Sequence, residues 1–386
     1  MTQLTLIPCQ RHLFDIPDDV AYLNCAYFSP FLKSVTAAGH RGVDRRAHPW
    51  EIETQHFFNE GEEARALFAR LIGATADDVA FIPATSYGIA LAIQNLPLRA
   101  DQRVIVLEDQ FPSNYYGWLE HCRRVGAALT IVPRPKDDDW TKAVLAAIDK
   151  KTAVVTVPNV HWTDGGLLDL VTIGEKCRDA GAALVIDAMQ SLGALPLDVR
   201  TVRPDFLVSA AYKWMLGPYS FGFVYVAPER QGGRPLEENW IAREGSDQLS
   251  NLLDYKDRYL PGARRFDVGH RGNFLLVSMA IAALKQIHEW GVENIQASLR
   301  ARTDRIAERV GAFQVRSVPR ERRAGHYLGL RFPGGVPDGL AQRLAREKVY
   351  VSVRGREAVR VTPHLWVSDR DEDRFVGVLE QAVKGR

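Results

Sequence analysis

The sequence predicts an α/β fold, with a mostly parallel seven-stranded sheet in a large domain and a small α+β domain at the C-terminus. Two observations carry this prediction. Between residues 79 and 226, short runs rich in Val, Ile, Leu and Ala alternate with runs of helical character. Several of the strand-like runs are continuously apolar, as expected when helices cover both faces of a parallel sheet. Ligands of such sheets gather beyond the carboxyl ends of the strands.

The elements of the large domain follow in chain order. Residues 1–30 are expected to form an irregular arm with one strand-like piece at 21–24. Apolar residues recur at helical spacing over 57–72, and Gly73 ends that helix. The strands are predicted at 79–82, 103–107, 128–132, 152–157, 183–186, 206–209 and 222–226, with helices near 88–95, 118–125, 141–148 and 171–180.

The pattern changes after residue 226. Residues 229–274 are rich in Gly, Arg, Asn and Asp with weak periodicity, which indicates a long functional loop region. Two helices interrupted near Gly291 are predicted over 276–310, followed by strands at 327–332, 349–353 and 359–362 and helices near 340–347 and 370–383. We therefore expect an N-terminal arm at 1–20, a large domain at 21–255 and a small domain at 256–386.

Composition and charge disfavour several classes of protein. The 386 residues are 46% hydrophobic and 25% charged, which is typical of a soluble globular protein. A net charge of +2 provides no broad field for nucleic acid or a membrane surface. The four cysteines lack the spacing of metal ligands, and no apolar run reaches the length of a membrane span. Because residues 1–19 do not read as a signal peptide, we expect a cytoplasmic enzyme without a metal site.

Lys213 is the candidate nucleophile, in the loop after the strand at 206–209. Its neighbours Ala211, Tyr212 and Trp214 offer an ammonium group little solvent and no carboxylate. Desolvation lowers a lysine pKa and frees the amine to form a Schiff base with an aldehyde or ketone. The alternative is an ordinary surface lysine whose ammonium group reaches water.

Asp187 ends the apolar strand at 183–186, where a carboxylate is costly to bury without a cation. Lys213 could supply that cation, but an ion pair would spoil its nucleophilicity. A protonated pyridine that carries an aldehyde satisfies both residues, because its ring nitrogen pairs with Asp187 and its aldehyde reacts with the amine. This is the chemistry of pyridoxal 5'-phosphate.

Polar or aromatic residues follow three further strands. Thr85 and Ser86 lie where a helix begins, and their hydroxyl and backbone N–H groups suit a phosphate, with a simple N-cap as the alternative. Phe111 precedes a proline that sets its ring on a rigid turn, although plain packing is more common. Asn159 and His161 follow the strand at 152–157, and a lone histidine is more often structural than catalytic.

These motifs carry a resemblance. Asp187-Ala-Met-Gln190 followed by Tyr212-Lys213-Trp214-Met-Leu-Gly-Pro218 resembles the class V aminotransferase family of fold type I pyridoxal-phosphate enzymes. That family includes cysteine desulfurases, kynureninases and isopenicillin N epimerase-like proteins. The likeness extends over most of the chain, from Tyr22 to His364.

The resemblance implies a role for each matching residue. Lys213 would form the Schiff base and then shuttle the proton, Asp187 would keep the ring nitrogen protonated, and Gln190 would hydrogen-bond the phenolic oxygen. The other implied cofactor-binding residues are Thr85, Ser86 and Tyr212 at the phosphate, Phe111 stacked on the ring, Asn159 near the phenolic oxygen, and His270 and Asn273 in a segment that reaches the partner subunit's phosphate site. A homodimer with shared active sites follows from the last of these.

The implied substrate is a small molecule, an amino acid or an amino-acid-like compound. Arg360 matches the arginine that clamps its α-carboxylate, a task that suits a planar bidentate group. Asn159 would lie near the same carboxylate, and Tyr27 and His161 are candidates for contact with the side chain. Arg354 and Arg356 are further cations near Arg360, for which solvation is the first expectation and binding of a second acidic group of the substrate is the alternative.

The resemblance leaves the reaction open. Transamination is the first expectation, with C–C or C–S bond cleavage and racemisation as alternatives. Desulfurases of this family need a mobile cysteine shortly before the carboxylate-binding arginine, and residues 351–359 contain none. A non-catalytic sensor that keeps the cofactor is the alternative from another class of protein.

Overall fold

The computed structural model describes residues 4–313, 315–354 and 357–384. The strands in those ranges are β1 (Ala21–Tyr22), β2 (Val79–Ile82), β3 (Arg103–Leu107), β4 (Ala128–Val132), β5 (Thr152–Pro158), β6 (Ala183–Asp187), β7 (Phe206–Ala210), β8 (Gly222–Val226), β9 (Arg316–Ser317), β10 (Leu328–Arg331), β11 (Val349–Tyr350), β12 (Ser352–Arg354) and β13 (Ala358–Val361). The α-helices are α1 (Lys33–Ala47), α2 (Asn59–Ile72), α3 (Thr85–Asn95), α4 (Pro112–Val125), α5 (Trp140–Ala147), α6 (Leu170–Ala180), α7 (Val199–Val202), α8 (Leu276–Trp290), α9 (Val292–Gly311), α10 (Leu340–Arg346) and α11 (Asp369–Lys384).

The central sheet has seven strands in the order β2-β8-β7-β6-β5-β3-β4. Every neighbouring pair is parallel except those of β8, which runs antiparallel to both β2 and β7. The predicted mostly parallel, seven-stranded α/β sheet is therefore confirmed. Its register places Asp187, the last residue of β6, beside Pro158 at the end of β5.

Helices cover both faces of this sheet, which explains why its strands are continuously apolar. All residues of β5, β6 and β7 are buried. Trp118 of α4 packs in the hydrophobic cluster on one side of the sheet, and Trp140 of α5 packs in the cluster on the other side. Because both faces are covered, polar side chains reach a ligand only at the strand ends.

A smaller antiparallel sheet, in the order β12-β13-β10-β9, forms near the C-terminus. Helices α9 and α11 pack against each other, as do α10 and α11, and their apolar faces join this sheet in one hydrophobic cluster. The N-terminal strand β1 pairs in parallel with β11, so Ala21 lies opposite Val349. The first part of the chain is thus tied to the C-terminal part.

Three local predictions need correction. The strand predicted at 349–353 is two strands, because β11 pairs with β1 whereas β12 pairs with β13. The helix predicted to begin at 57 begins at Asn59, after a 3-10 turn at Thr54–Phe57. Helix α1 was not predicted, because its buried residues are mostly small: Val35, Ala38, Gly39 and Gly42.

Two negative findings concern the described ranges alone. None of their helices has the length and apolarity needed to cross a membrane. Nowhere in these ranges do three or more His, Cys, Asp or Glu side chains come together as metal ligands would.

Gly193 allows the turn after β6 to press against the lysine loop. Its φ is +99°, and a Cβ there would overlap the carbonyl oxygen of Trp214. We expect Gly193→Ala to lower the free energy of unfolding by about 1–3 kcal/mol through this overlap, in addition to backbone strain. Chemical denaturation measures the loss. Gly181→Ala is the matched control, because Gly181 also has a positive φ, of 75°, but no atom lies within 4 Å of its Cβ position. Equal losses for the two variants would contradict the predicted overlap.

Candidate active site

A cavity of about 330 Å³ opens beyond the carboxyl ends of the central strands. It lies where β2, β5, β6 and β7 give way to loops, which is the position expected for a ligand in this type of sheet. The predicted site residues that line it are Thr85, Ser86, Phe111, His161, Asp187, Gln190, Tyr212 and Lys213. The structure therefore brings together, in one place, residues separated by more than a hundred positions in the sequence.

Lys213 lies on the wall of this cavity and is only 6% exposed. Its loop turns back at once, because the backbone N–H of Leu216 donates to the carbonyl of Lys213 at 3.0 Å. Burial lowers the pKa of the Lys213 ammonium to about 8; the positive charge of Arg360 acts in the same direction and Asp187 opposes both. A substantial fraction of the amine is thus neutral near physiological pH, as a nucleophile or base requires.

Asp187 carries a carboxyl group that is buried without an ion-pair partner among the described residues. Its Oδ1 accepts a hydrogen bond from the backbone N–H of Met189 at 3.1 Å. Burial raises the pKa of Asp187, while that hydrogen bond and the charge of Lys213 oppose the rise. The carboxylate therefore needs a cation that the neighbouring side chains do not supply at contact distance.

The residues present fit pyridoxal 5'-phosphate. A protonated ring nitrogen would satisfy the buried Asp187, and the aldehyde would meet the weakly basic amine of Lys213. Thr85 and Ser86 are the first two residues of α3, so their backbone N–H groups are free for a phosphate. The Oγ1 of Thr85 donates a weak hydrogen bond to Met189 Sδ at 3.7 Å. The cavity has the volume that such a cofactor and a small substrate need.

Gln190 is fixed from several sides. Its Nε2 donates to the carbonyl of Ala26 at 3.2 Å, and its Oε1 accepts from Nε1 of Trp214 at 2.9 Å. Its backbone carbonyl lies 2.7 Å from Nε2 of the buried His326. One Nε2 hydrogen remains for a ligand, which is compatible with the phenolic oxygen as acceptor. Sequence reasoning did not find Trp214 or His326 as supports, since their contacts to Gln190 span 24 and 136 positions.

Aromatic rings form one wall of the cavity, called the aromatic wall below. The ring centroid of Phe111 lies 5.7 Å from Lys213 Nζ, and its edge meets Trp162 at a centroid distance of 5.4 Å. Tyr212 packs between Phe28 and Tyr219, with centroid distances of 4.7 and 4.8 Å, and burial raises the pKa of its phenol to about 12. Phe111 is thus placed to cover a ring held between Lys213 and Asp187.

His161 also touches the cavity, but both of its ring nitrogens already have partners. One lies 2.8 Å from the Thr163 hydroxyl and the other 3.1 Å from the Glu108 carbonyl. The imidazole stacks on Trp140 at a centroid distance of 4.9 Å, and burial lowers its pKa. These contacts favour a structural role, and the substrate contact of His161 stays a prediction.

Several predicted site residues lie outside the cavity. Asn159 borders a different cavity of about 740 Å³, and its Nδ2 donates to the carbonyl of Leu168 at 3.2 Å. Tyr27 is 57% exposed and contacts Phe28. Asn273 caps α8, since its Oδ1 accepts from the first backbone N–H groups there, and the nearby His270 is exposed with φ of +57°. These four residues do not line the cavity that contains Lys213.

Arg360 is buried on β13 without lining the cavity itself. Its Nη1 donates to the carbonyl of Trp162 at 3.2 Å, and its Nη2 donates to the Ser352 hydroxyl at 3.1 Å. Its Nε has no hydrogen-bond partner, and no carboxylate of the described chain pairs with it. Ser352 of the neighbouring strand β12 lies opposite Arg360, and Arg354 follows two residues further along β12. Arg356 falls outside the described residues.

The fold and this cavity together define a fold type I pyridoxal-phosphate enzyme. A model of the family "Aminotransferase class-V" matches residues 26–368, and the chain belongs to that family. The match confirms both the resemblance and pyridoxal 5'-phosphate, the cofactor predicted from the sequence.

Relatives of this chain carry different names. The uncharacterized aminotransferase YcbU of Bacillus subtilis is 30% identical over 236 residues, which is 61% of this chain and only 60% of that relative. A probable cysteine desulfurase of Pyrococcus abyssi is 26% identical over 366 residues, covering 89% of this chain and 87% of the relative. The apo structure of a cysteine desulfurase from Thermococcus onnurineus NA1 superimposes with a TM-score of 0.84 at 22% identity, over 99% of this chain and all of that one. The last similarity concerns the fold alone.

Proposed function

We propose that this protein is an aminotransferase that moves the α-amino group of an amino acid to a keto acid. One observation carries the proposal: the described residues that line the cavity include a single amine, which has a lowered pKa, and no cysteine. The bound cofactor supplies the electron sink that stabilises negative charge at the substrate Cα. The reaction is then chosen by the groups that surround that carbon.

The chain's own residues have separate tasks in this scheme. Lys213 would remove the proton from the substrate Cα and deliver it to a second atom on the same face. Asp187 keeps the ring nitrogen protonated, because a buried carboxylate without another cation stabilises a positive charge beside it. Thr85 and Ser86 hold the phosphate at the start of α3. Arg360 would bind the substrate α-carboxylate.

A single base favours transamination over two-base racemisation. Of the ionisable residues around the cavity, Asp187 faces the ring nitrogen and His161 has both ring nitrogens bonded. The phenol of Tyr212 has a raised pKa and is a poor base at neutral pH. Lys213 remains, and one amine can move a proton between two atoms on the same face.

Thiol chemistry has little support in this cavity. Cys25 is the cysteine whose thiol senses the charge of Lys213, yet it is fully buried and burial raises its pKa well above the ordinary value. A thiol of that kind is inert. Cleavage of a C–S or C–C bond without an enzyme thiol is the second candidate, because relatives are named cysteine desulfurases and the same lysine could serve that reaction.

The products distinguish these reactions. The purified yellow protein is mixed with single amino acids, and the absorbance of the cofactor is followed. Transamination predicts conversion to pyridoxamine 5'-phosphate with one equivalent of keto acid, and reversal when a second keto acid is added. Release of ammonia, sulfide or a side-chain fragment with the original spectrum restored would favour the lyase. Inversion of the substrate without net product would favour the racemase, and no response to any amino acid would favour a sensor.

Cofactor uptake should depend on pH through the lysine. We expect the rate at which the cofactor-free protein captures pyridoxal 5'-phosphate to rise with pH and to level off above about 8, since only the neutral amine of Lys213 reacts. In Arg360→Gln the midpoint should move to higher pH, because one of the charges that lowers this pKa is gone. Stopped-flow absorbance measures both profiles.

The matched control for that shift is Arg346→Gln, at an exposed position on α10. Its midpoint should equal that of the unmodified protein. A pH midpoint of about 10.4 for cofactor capture by the unmodified protein, the ordinary lysine pKa, would contradict the desolvation of Lys213.

The proposal also includes the location and the assembly of the protein. We propose that it is cytoplasmic and that it forms a homodimer in which the segment with His270 and Asn273 reaches the partner's phosphate site. The exposure of His270 next to the start of α8 is compatible with such a contact. Sedimentation equilibrium tests the dimer, and a monomer at micromolar concentration with full activity would contradict it.

A further inference from the structure

Two arginines lie behind the aromatic wall of the cavity. Arg354 is on β12 and Arg360 is on the adjacent antiparallel strand β13. Both meet Trp162, which lines the cavity: Arg360 donates to its carbonyl, and the guanidinium carbon of Arg354 lies 5.7 Å from its ring centroid. The sheet thus sets two guanidinium groups side by side at one edge of the site.

Neither guanidinium has a carboxylate partner in the described part of the chain. The Nε atoms of Arg354 and Arg360 are both buried and lack a hydrogen-bond partner among the residues that the structure describes. Two other buried arginines differ from Arg360: Arg65 is paired with Asp267 at 2.8 Å, and Arg323 is paired with an aspartate as well. A buried charge is costly unless it is paired, so the buried Arg360 and the half-buried Arg354 beside it are suited to bind an anion that the described chain does not supply.

The electrostatics of the cavity agree with this contrast. The charges of Arg360 and Arg354 both lower the pKa of Lys213, so they act within the same site. Burial and the charge of Arg360 lower the pKa of Arg354 in turn. At Lys213 the carboxylate of Asp187 opposes their effect on the pKa, and in the proposed function Asp187 is paired with the cofactor ring nitrogen. One substrate carboxylate on Arg360 leaves the charge of Arg354 unbalanced.

We infer that the substrate is a dicarboxylic amino acid, whose second carboxylate binds Arg354 while its α-carboxylate binds Arg360. This inference rests on the proposed function, because it assigns a substrate class to the same site. Guanidinium groups bind carboxylates through paired, charge-assisted hydrogen bonds, so an acid is distinguished from its amide of equal size. Trp162, which contacts both arginines, would hold the Arg354 guanidinium in place by a cation–π contact.

Acid and amide pairs test the inference directly. The values of kcat/KM are measured for aspartate against asparagine and for glutamate against glutamine. For whichever of the two acids is the better substrate, we expect kcat/KM to exceed that of its amide by about 10- to 100-fold, the range of a hydrogen bond to a charged group. R354Q should lower this ratio by a similar factor. The matched control R346Q removes an exposed arginine from α10 and should leave the ratio unchanged.

A binding readout separates this inference from the proposed reaction. Glutarate and its monoamide are compared as ligands that raise the thermal midpoint of the holoenzyme. Glutarate should raise it more, and R354Q should remove the difference. If acids and amides react equally and R354Q does not alter the ratio, the dicarboxylate assignment is wrong while the proposed function stands.

The remaining outcomes are also decisive. If no amino acid alters the cofactor but glutarate is stabilising through Arg354, the acid site is supported and transamination is not. If R354Q does not fold, the acid-to-amide ratio and the glutarate comparison in the unmodified protein still decide, because both require only a preference for the second carboxylate. Equal responses to acid and amide in both measurements would overturn the inference.

Discussion

Replacing Lys213 by alanine is expected to abolish turnover and leave a folded protein. The amine is the single base of the cavity and also the group that captures the cofactor, so the rate should fall by about 10⁴-fold or more. Stability should not fall, because this buried ammonium has no ion-pair partner among the described residues and its removal ends a desolvation cost. Steady-state rates and thermal unfolding measure the two effects.

Lys176→Ala is the matched control for that experiment. Lys176 is an exposed lysine of α6, and its variant should keep full activity. Borohydride reduction of the unmodified protein should fix the cofactor on Lys213, and mass spectrometry of peptides locates the label. Normal turnover by Lys213→Ala, or a label on another lysine, would contradict the assignment of the base.

The sheet could be predicted from sequence because burial on both faces leaves a simple trace. The strands β5, β6 and β7 are continuous apolar runs, and each predicted boundary lies within one residue of the observed one. Helix α1 left no such trace. Its buried face consists largely of Ala and Gly, and a Cβ at Gly42 would come within 2.6 Å of the Phe274 carbonyl oxygen. Close approach to α8 selects small residues there, and hydrophobic periodicity does not register them.

The site was predictable where chemistry is unusual for its position. Burying an aspartate at the end of an apolar strand or a lysine in an aromatic loop costs free energy unless a ligand or partner compensates the charge. The structure places both residues on one cavity. Asn159 was harder to place. It follows β5 directly, but successive residues of extended chain point in opposite directions, and Asn159 borders the other cavity, so its contact with the cofactor stays a prediction.

The lack of partners at Arg354 and Arg360 was also beyond the sequence. Whether a buried arginine has an acid beside it depends on contacts between distant segments. Arg65, for example, reaches Asp267 across 202 positions. Only the three-dimensional arrangement distinguishes a structural ion pair of that kind from a cation that awaits a ligand.

Asp187→Asn is the second substitution with a large expected effect, and its effects on activity and stability have opposite signs. The amide cannot hold the ring nitrogen protonated, so turnover should fall by about 10²- to 10³-fold, as when a preorganised charge partner is lost. The cofactor-free protein should become more stable at neutral pH. The backbone N–H of Met189 keeps an acceptor in the asparagine carbonyl, while the buried charge is gone.

The pH dependence of that stability follows from the raised pKa of Asp187. Below about pH 4, the ordinary aspartate value, the carboxyl group is protonated in both folded and unfolded chains and costs nothing. As the pH rises toward the folded-state pKa, the unfolded chain loses its proton first, so the unmodified protein loses stability relative to Asp187→Asn until both states are ionised. Thermal unfolding of the cofactor-free proteins across this range should therefore show two midpoints that diverge with increasing pH. Bound cofactor should reverse the order of the two thermal midpoints, because its protonated ring nitrogen stabilises the carboxylate of Asp187 but not the asparagine amide. Equal midpoints at every pH would mean that Asp187 is solvated, and the assignment of the ring-nitrogen partner would then be wrong.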